Sequence, residues 1–286
     1  MRLGLIRDEK AKRNILVAEI GQRVVALDDL PAEPVNVLVH PELHAEAEKR
    51  LQGGRLPEID ASRATFVPPL TSSARLLCVG LNYVDHASES AYEKPKYPVF
   101  FLRLESSVVG HLAPILRPRV SEQLDYEGEM VAVIGKPGRG IPIERALDHV
   151  VAYSLFNDGS VRDFQFKGPQ WTLGKNFDSC GSYGPFLVSA DELPPGGTGL
   201  RIRTLLNGQV VQDASTSDLI FPVAELIAYV STAMVLRPGD IIVTGTPSGV
   251  GFARKPPLFM KNGDVCEIQI EKIGTLRNPI RDEAAM

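Results

Sequence analysis

The sequence predicts an α+β fold that is mostly β, with a small α/β domain over residues 1–70 and a larger domain over residues 71–286. Short apolar runs of strand length recur from residue 76 onward and are separated by turn residues. Proline (22) and glycine (25) are both frequent, as expected for a loop-rich, strand-rich protein. Only one segment of the larger domain has persuasive helical periodicity, so a doubly wound parallel sheet is not expected.

The first 70 residues have their own pattern. The apolar runs ILVAEIG and RVVALDDL are joined by Gly21-Gln22-Arg23, which predicts a small hairpin. The segment PELHAEAEKRLQGG is rich in helix formers and ends in Gly-Gly, which predicts a helix. The proline-rich stretch FVPPLTSS is then expected to link this unit to the larger domain.

The larger domain begins with a predicted buried strand, ARLLCVG, and Asn207-Gly208 between two apolar runs predicts a tight hairpin. GKPGRG, residues 135–140, is interpreted as a hairpin turn. FPVAELIAYVSTAM predicts the helix, with Pro222 in its first turn and an apolar stripe behind it. Further strands are predicted over YPVFFLR, EMVAVIG, VVAYSLFND, DIIVTGTP and DVCEIQIEKIG.

Composition narrows the class of protein. The formal charge is −4 and no basic stripe is present, which argues against a nucleic-acid partner. No apolar run reaches the length of a membrane-spanning helix, and the charged N-terminal stretch lacks the apolar core of a signal peptide. Three widely spaced cysteines (Cys78, Cys180 and Cys266) form neither an even disulfide set nor a metal-binding pair. We therefore expect a cytoplasmic protein with reduced thiols that acts on a small molecule.

The stretch LDYEGEMVAVIG places acids at the start of a buried strand. Side chains two apart share a strand face, so Asp125, Glu127 and Glu129 are predicted to project together. Asp158 follows another buried strand and could converge on them, giving an all-oxygen site suited to Mg²⁺ or Mn²⁺, with Ca²⁺ as a further option. The alternatives are a strand that exposes its acids to water and an ordinary turn aspartate.

Other polar residues have weaker local signals. Lys175 lies among aromatic residues and glycines and could neutralise carboxylates or hold an anionic substrate, although a surface loop lysine is equally consistent. His86 and Glu89 are three residues apart after a strand, so they could form a general base and its orienting carboxylate, or an ordinary surface pair. Thr244 and Thr246 lie in glycine-rich turns that could approach a ligand.

Five motifs occur in a specific order along the chain: GLNYVDHASE (80–89), DYEGE (125–129), NDGSVRD (157–163), WTLGK (171–175) and TGTPSGVG (244–251). Taken together, they resemble the fumarylacetoacetate hydrolase family over roughly residues 71–280. The resemblance implies a mixed β-sandwich roll, a homodimer and a divalent metal held by three carboxylates, with the first 70 residues as a small extra domain.

The resemblance also assigns roles to individual residues. The implied metal ligands are Glu127, Glu129 and Asp158, the implied active-site lysine is Lys175, and the implied water-activating pair is His86 with Glu89. The implied substrate contacts are Gln165, Thr246 and the position of Arg103.

Two positions depart from the family pattern. The family usually has lysine where this chain has Arg103, which affects the expected contacts to a substrate carboxylate. The chain also has Gly159-Ser160-Val161-Arg162 where the family usually has Val-Ser-Ala-Arg, which is expected to alter packing behind the metal.

The activity implied by the resemblance is metal-dependent hydrolysis of a carbon–carbon bond in a 2,4-dioxo acid, of the acylpyruvate or fumarylpyruvate type, in aromatic or sugar-acid catabolism. Two alternatives use the same metal–enolate site: decarboxylation of oxaloacetate, and isomerisation or decarboxylation of a hydroxy-diene-dioate. A third alternative is a homologue that binds metal or ligand without catalysis.

Overall fold

Within residues 1–31, 33–85 and 95–284, which the computed structural model describes, most of the regular structure is β. The strands are β1 (Arg2–Asp8), β2 (Arg13–Ile20), β3 (Arg23–Ala26), β4 (Glu58–Ile59), β5 (Thr65–Val67), β6 (Leu76–Gly80), β7 (Val99–Arg103), β8 (Val108–Val109), β9 (Ile115–Arg117), β10 (Leu124–Asp125), β11 (Gly128–Ile134), β12 (Val150–Asn157), β13 (Ser160–Val161), β14 (Gly181–Ser189), β15 (Arg201–Leu206), β16 (Gln209–Ser215), β17 (Ile241–Val243), β18 (Val265–Ile270) and β19 (Gly274–Asp282). The α-helices are α1 (Pro34–Val39), α2 (Pro41–Gly53), α3 (Arg162–Gln165), α4 (Thr172–Lys175) and α5 (Val223–Ala233). The predicted fold class, α+β and mostly β, is confirmed.

Two large sheets form the framework. The first has twelve strands in the order β4-β3-β2-β1-β14-β12-β11-β17-β6-β7, with β5 added beside β1 and β8 beside β14. The second has five strands in the order β16-β15-β18-β19-β9, and a short β10–β13 pair lies apart from both. Most neighbours are antiparallel, but β17 pairs with β6 in parallel. The sheets are therefore mixed, as in the expected sandwich roll.

The main hydrophobic core lies between the two sheets. Met130 and Ala132 of β11 belong to the same buried cluster as Ile202 of β15 and Ile268 of β18. The alternate residues of β11, including Val131, belong to a second buried cluster on the opposite face of the large sheet. Both faces of β11 are thus covered, which explains why its sequence is a continuous apolar run rather than an alternating one.

The local predictions in the larger domain hold with one exception. The helix α5 buries Leu226 and Ile227 as predicted, with Pro222 just before its first turn. Asn207-Gly208 forms the β15–β16 turn with positive φ at both residues. Residues 135–140 are not a simple hairpin turn, because the connection from β11 to β12 continues through a 3₁₀ segment, Ile143–His149. No α-helix of the described ranges is long and apolar enough to cross a membrane.

The N-terminal 70 residues contain the predicted hairpin, β2–β3, and the predicted helix, α2. They also join the large sheet, because β1 pairs with β14 through Leu3 opposite Leu187. Helices α1 and α2 cover this end of the sheet with Val37 and Ala47 in a separate buried cluster. The boundary near residue 70 stays a prediction, since the hydrogen-bonded sheet continues across the two segments.

Candidate active site

The register of β11 and β12 brings the two acidic motifs together. Gly128 lies opposite Asn157, so Glu127, just before β11, and Asp158, just after β12, lie at the same end of the strand pair. The amide N–H of Asp158 donates to the carbonyl oxygen of Glu127 at 2.9 Å. The side-chain Oδ1 of Asn157 accepts from the amide of Glu127 at 3.1 Å. Antiparallel pairing therefore makes neighbours of two carboxylates that are 31 positions apart in the sequence.

Three carboxylates form the centre of the site. One oxygen from each of Glu127, Glu129 and Asp158 lies within 4.8 Å of one from each of the others, and all three residues are buried. A cluster made only of carboxylate oxygens fits a hard divalent cation such as Mg²⁺, Mn²⁺ or Ca²⁺ better than zinc. The structure thus brings together the three residues that the sequence analysis selected as metal ligands.

The charge on Glu129 is poorly compensated. Its Oε2 accepts a hydrogen bond from the amide of Gly245 at 2.5 Å, and the positive φ at Gly245 suits a glycine turn that aims this N–H inward. No salt bridge to Glu129 is found among the described residues. Burial and the nearby carboxylates of Asp158 and Glu127 raise the pKa of Glu129 well above its usual range. A bound cation would relieve this repulsion, so the residues present fit a metal.

Lys175, at the end of α4, reaches into the same cluster. Its Nζ lies 2.7 Å from Oε2 of Glu127 and 2.5 Å from Oδ2 of Asp158, and its side chain is buried. Burial lowers the pKa of Lys175, but the two carboxylates more than offset this, so the pKa is raised and the ammonium stays charged. The alternative of an exposed loop lysine is excluded by this position.

The sequence analysis did not assign a role to Arg162, although it lies in the NDGSVRD motif. Its guanidinium is buried at the start of α3, with Nη1 2.7 Å from Oε1 of Glu127 and 2.9 Å from Oε1 of Gln165. Its Nη2 is buried and has no hydrogen-bond partner among the described residues. The guanidinium also lies 4.5 Å from the ring centre of Phe252. An arginine four residues after a candidate ligand was the signal that could have identified it.

Asp125 does not belong to the carboxylate cluster formed by Glu127, Glu129 and Asp158. Its Oδ2 accepts from Nε of Arg162 at 2.9 Å, and its Oδ1 accepts from the amide of Gly251 at 2.8 Å. It therefore holds Arg162 in place, and only Glu127 and Glu129 of the acidic strand motif project into the cluster.

Arg103 lies beside Asp158. Its side chain is fully buried and pairs with that carboxylate, and substrate contact by Arg103 stays a prediction. Its Nη1 donates to Oδ1 of Asp158 and, at 3.1 Å, to the carbonyl oxygen of Gly159, while its Nε donates to Oγ of Ser107 at 3.1 Å. A planar group with several donors fits this position, whose surrounding acceptors could not be identified from local sequence patterns.

The cluster opens into a narrow cleft with a cavity volume of about 30 Å³. Gln165 and Thr246 both line it, as the sequence analysis expected. The Oγ1 of Thr246 donates to the carbonyl oxygen of Gly128 at 3.0 Å and accepts from Nε2 of Gln212 at 2.9 Å, which fixes its orientation. Substrate contact by Gln165 and Thr246 stays a prediction. The predicted pair His86 and Glu89 lies outside the described residues.

Comparison with known proteins gives a consistent result. A family model described as fumarylacetoacetate (FAA) hydrolase C-terminal matches residues 75–281. The oxaloacetate tautomerase Fahd2a, mitochondrial, of Rattus norvegicus is 39% identical over 270 residues, which are 93% of this chain and 86% of the rat protein.

Two solved structures are similar as well. The fumarylacetoacetate hydrolase of Exiguobacterium antarcticum aligns with a TM-score of 0.85 at 31% identity, over 99% of this chain and all of that one. The fumarylpyruvate hydrolase of Pseudomonas aeruginosa, solved with Mn²⁺ and pyruvate, aligns with a TM-score of 0.67 at 32% identity, over 78% of this chain and 94% of that one. These matches agree with the order of the motifs and with the observed fold. The chain belongs to the fumarylacetoacetate hydrolase family.

Proposed function

We propose that this protein is a divalent-metal-dependent enzyme that interconverts keto and enol forms of a short 2-oxo acid, with oxaloacetate as the leading substrate. The observation that carries the proposal is a buried cluster of three carboxylates, suited to a cation, beside two buried cationic side chains, Lys175 and Arg162, that line the same cleft. The similarity to an oxaloacetate tautomerase over most of the chain supports this choice of substrate.

The chemistry follows from the charges. When bound by Glu127, Glu129 and Asp158, Mg²⁺ or Mn²⁺ supplies Lewis-acid polarisation of a 2-oxo group. Removal of a proton next to that group develops negative charge on oxygen, and the charged ammonium of Lys175 is placed to stabilise it. The Nη2 of Arg162, which has no hydrogen-bond partner within the described ranges, would serve as a donor to a substrate carboxylate. Tautomerisation and isomerisation reach an enolate by loss of a proton, and decarboxylation reaches one by loss of CO₂, so all three would use the same stabilisation of charge on oxygen.

The test is a tautomerase assay. Enol-oxaloacetate is added to Mn²⁺-loaded protein, and the loss of enol absorbance is followed against a protein-free Mn²⁺ control. We expect catalysis that falls by about 10²-fold or more in Lys175→Met, since one electrostatic contact is removed from the transition state. Leu173→Ala, at an exposed position of the same helix, should retain wild-type turnover. Wild-type rates no higher than the control would refute the proposal, and release of CO₂ would identify a decarboxylase instead.

A second candidate is hydrolysis of a carbon–carbon bond in a 2,4-dioxo acid. The fumarylpyruvate hydrolase similarity favours it, and so does the sequence pair His86 and Glu89, which would activate water. Acetylpyruvate incubated with the Mn²⁺-loaded protein should then yield pyruvate and acetate. Turnover of enol-oxaloacetate without any acetate from acetylpyruvate would remove this candidate.

A further inference from the structure

The cleft has a charged floor and an aromatic rim. The charged residues that line it, Glu127, Glu129, Arg162 and Lys175, are all at most 5% exposed. Trp171, Phe166 and Phe252 line the same cleft but are partly exposed, with Phe166 at 48%. A substrate that reaches the floor with its oxo acid atoms therefore has aromatic side chains among the groups beside its remaining atoms.

Two packing contacts hold the Trp171 ring in place. Its ring packs on Gly80 so closely that a Cβ added there would lie 2.3 Å from Cζ3 and 2.7 Å from Cη2 of the indole. On another side the ring meets Phe101 edge to face, with centroids 5.6 Å apart. The indole therefore has little freedom to move away from a ligand.

The backbone next to Trp171 connects it to the charged floor. The amide of Lys175 donates to the carbonyl oxygen of Trp171 at 3.2 Å, across the short helix α4. The ammonium of Lys175 lies 5.1 Å from the ring centre of Phe101, which in turn contacts the indole. The distance between the Lys175 ammonium and the Trp171 indole is thus set by packed side chains.

We propose that Trp171, seated on Gly80, limits the size of the group that a 2-oxo acid carries beyond its metal-binding atoms. The inference rests on the proposed function and narrows the substrate class to short-chain 2-oxo acids. Bulky apolar substituents are excluded by the indole as it packs on Gly80 and Phe101, and shortening this side chain opens the cleft to them.

The experiment compares two probes of different length, oxamate and N-phenyloxamate, by calorimetric titration of the Mn²⁺-loaded protein. Wild-type protein should bind oxamate more tightly. In Trp171→Ala the ratio of the two dissociation constants should shift toward N-phenyloxamate by about tenfold or more, the scale of discrimination by an apolar pocket. Oxamate affinity itself should change by less than about threefold. Leu173→Ala, in the same short helix and 70% exposed, is the matched control and should leave the ratio unchanged.

Gly80→Ala gives an independent arm. The three atoms nearest the added Cβ all belong to Trp171, so this methyl group should displace the indole and weaken N-phenyloxamate binding further. In the Trp171→Ala background the same substitution should have no effect beyond about twofold, because the two sites act through one contact. If Trp171→Ala does not fold, Trp171→Phe should give a smaller shift in the same direction.

Three outcomes would overturn the inference. One is an unchanged ratio in a folded Trp171 variant, and another is a Gly80→Ala effect that is equal in both backgrounds. These leave the proposed function intact, since oxamate still binds. Failure of wild-type Mn²⁺-loaded protein to bind oxamate at all would instead refute the proposed function and this inference with it.

Discussion

The guanidinium of Arg103 donates a hydrogen bond to Oδ1 of Asp158, and neither side chain is more than 1% exposed. Because this charge pair is fully buried, removing Arg103 takes one of two cationic partners from Asp158 and leaves only the Lys175 ammonium beside it. Arg103→Met should therefore lower the free energy of unfolding by roughly 3–5 kcal/mol, measured by urea denaturation. Arg103→Lys should cost less, since it keeps the charge but loses the additional hydrogen bonds.

The control for this prediction is Arg145→Met, which breaks an exposed pair with Asp148. Its effect should stay within about 0.5 kcal/mol. Equal destabilisation by Arg103→Met and Arg145→Met would show that Arg103 does not have the structural role assigned to it.

Glu129→Gln should weaken metal binding without destabilising the metal-free fold. The raised pKa of Glu129 means that the metal-free folded protein holds this proton to higher pH than the unfolded chain does. Between the two pKa values the folded state binds more protons, so the free energy of unfolding falls as pH rises through that interval. Because glutamine cannot ionise, metal-free Glu129→Gln should not lose stability in this way as pH rises. At the upper end of the pH interval it should be at least as stable as the wild-type protein.

The same variant should bind Mn²⁺ more weakly by at least the roughly 10-fold to 100-fold that is typical when a group supporting a metal ligand is lost, since here an anionic oxygen donor itself is gone. Calorimetric titration with Mn²⁺ and thermal melting across pH measure the two effects. Unchanged Mn²⁺ affinity would remove Glu129 from the ligand set.

The single tryptophan provides a direct probe of the cation site. Trp171 lines the same cleft as Glu127 and Glu129, so a Tb³⁺ ion bound by the carboxylates should show luminescence when the indole is excited. Tb³⁺ is a hard cation that prefers oxygen ligands, as Ca²⁺ does. Asp158→Asn should abolish the signal, while the exposed Asp178→Asn should preserve it. Sensitised emission that survives Asp158→Asn would place the ion elsewhere.

His111 should make stability depend on pH far from the cleft. Burial and the nearby Arg277 lower the pKa of His111 to about 4, and its Nδ1 accepts a hydrogen bond from the amide of Arg277 at 3.0 Å. The unfolded chain takes up this proton near pH 6.5. Stability should thus fall as pH drops from about 6.5 to 4, by at most about 3 kcal/mol from this group.

Thermal melts of His111→Asn test this directly, because asparagine keeps an acceptor but does not titrate. The variant should lose less stability than wild type between these pH values. Parallel curves for the two proteins would exclude His111 as the source.

Local patterns predicted about half of the strands, including β6, β11 and β12, together with the β15–β16 hairpin and helix α5, because each depends on residues that are close in sequence. They also placed Glu127, Glu129 and Asp158 at strand ends, from which convergence could be inferred. They did not predict β1 or β14, whose pairing joins the two segments. The surroundings of Arg103 could not be predicted in this way, since Ser107, Asp158 and Gly159 meet it only after folding. Pairings such as that of β17 with β6 join residues more than 160 positions apart and leave no local sign.

The pairing of β1 with β14 affects how the protein can be shortened. A fragment that starts at residue 71 would leave the amides and carbonyls along part of β14 without their neighbour strand. Such an open edge invites another copy to add a strand in its place, so expression of the larger domain alone should favour intermolecular exchange or precipitation. By pairing with β14, the amino-terminal segment thus protects the sheet that carries the carboxylate cluster from pairing with a second copy of the chain.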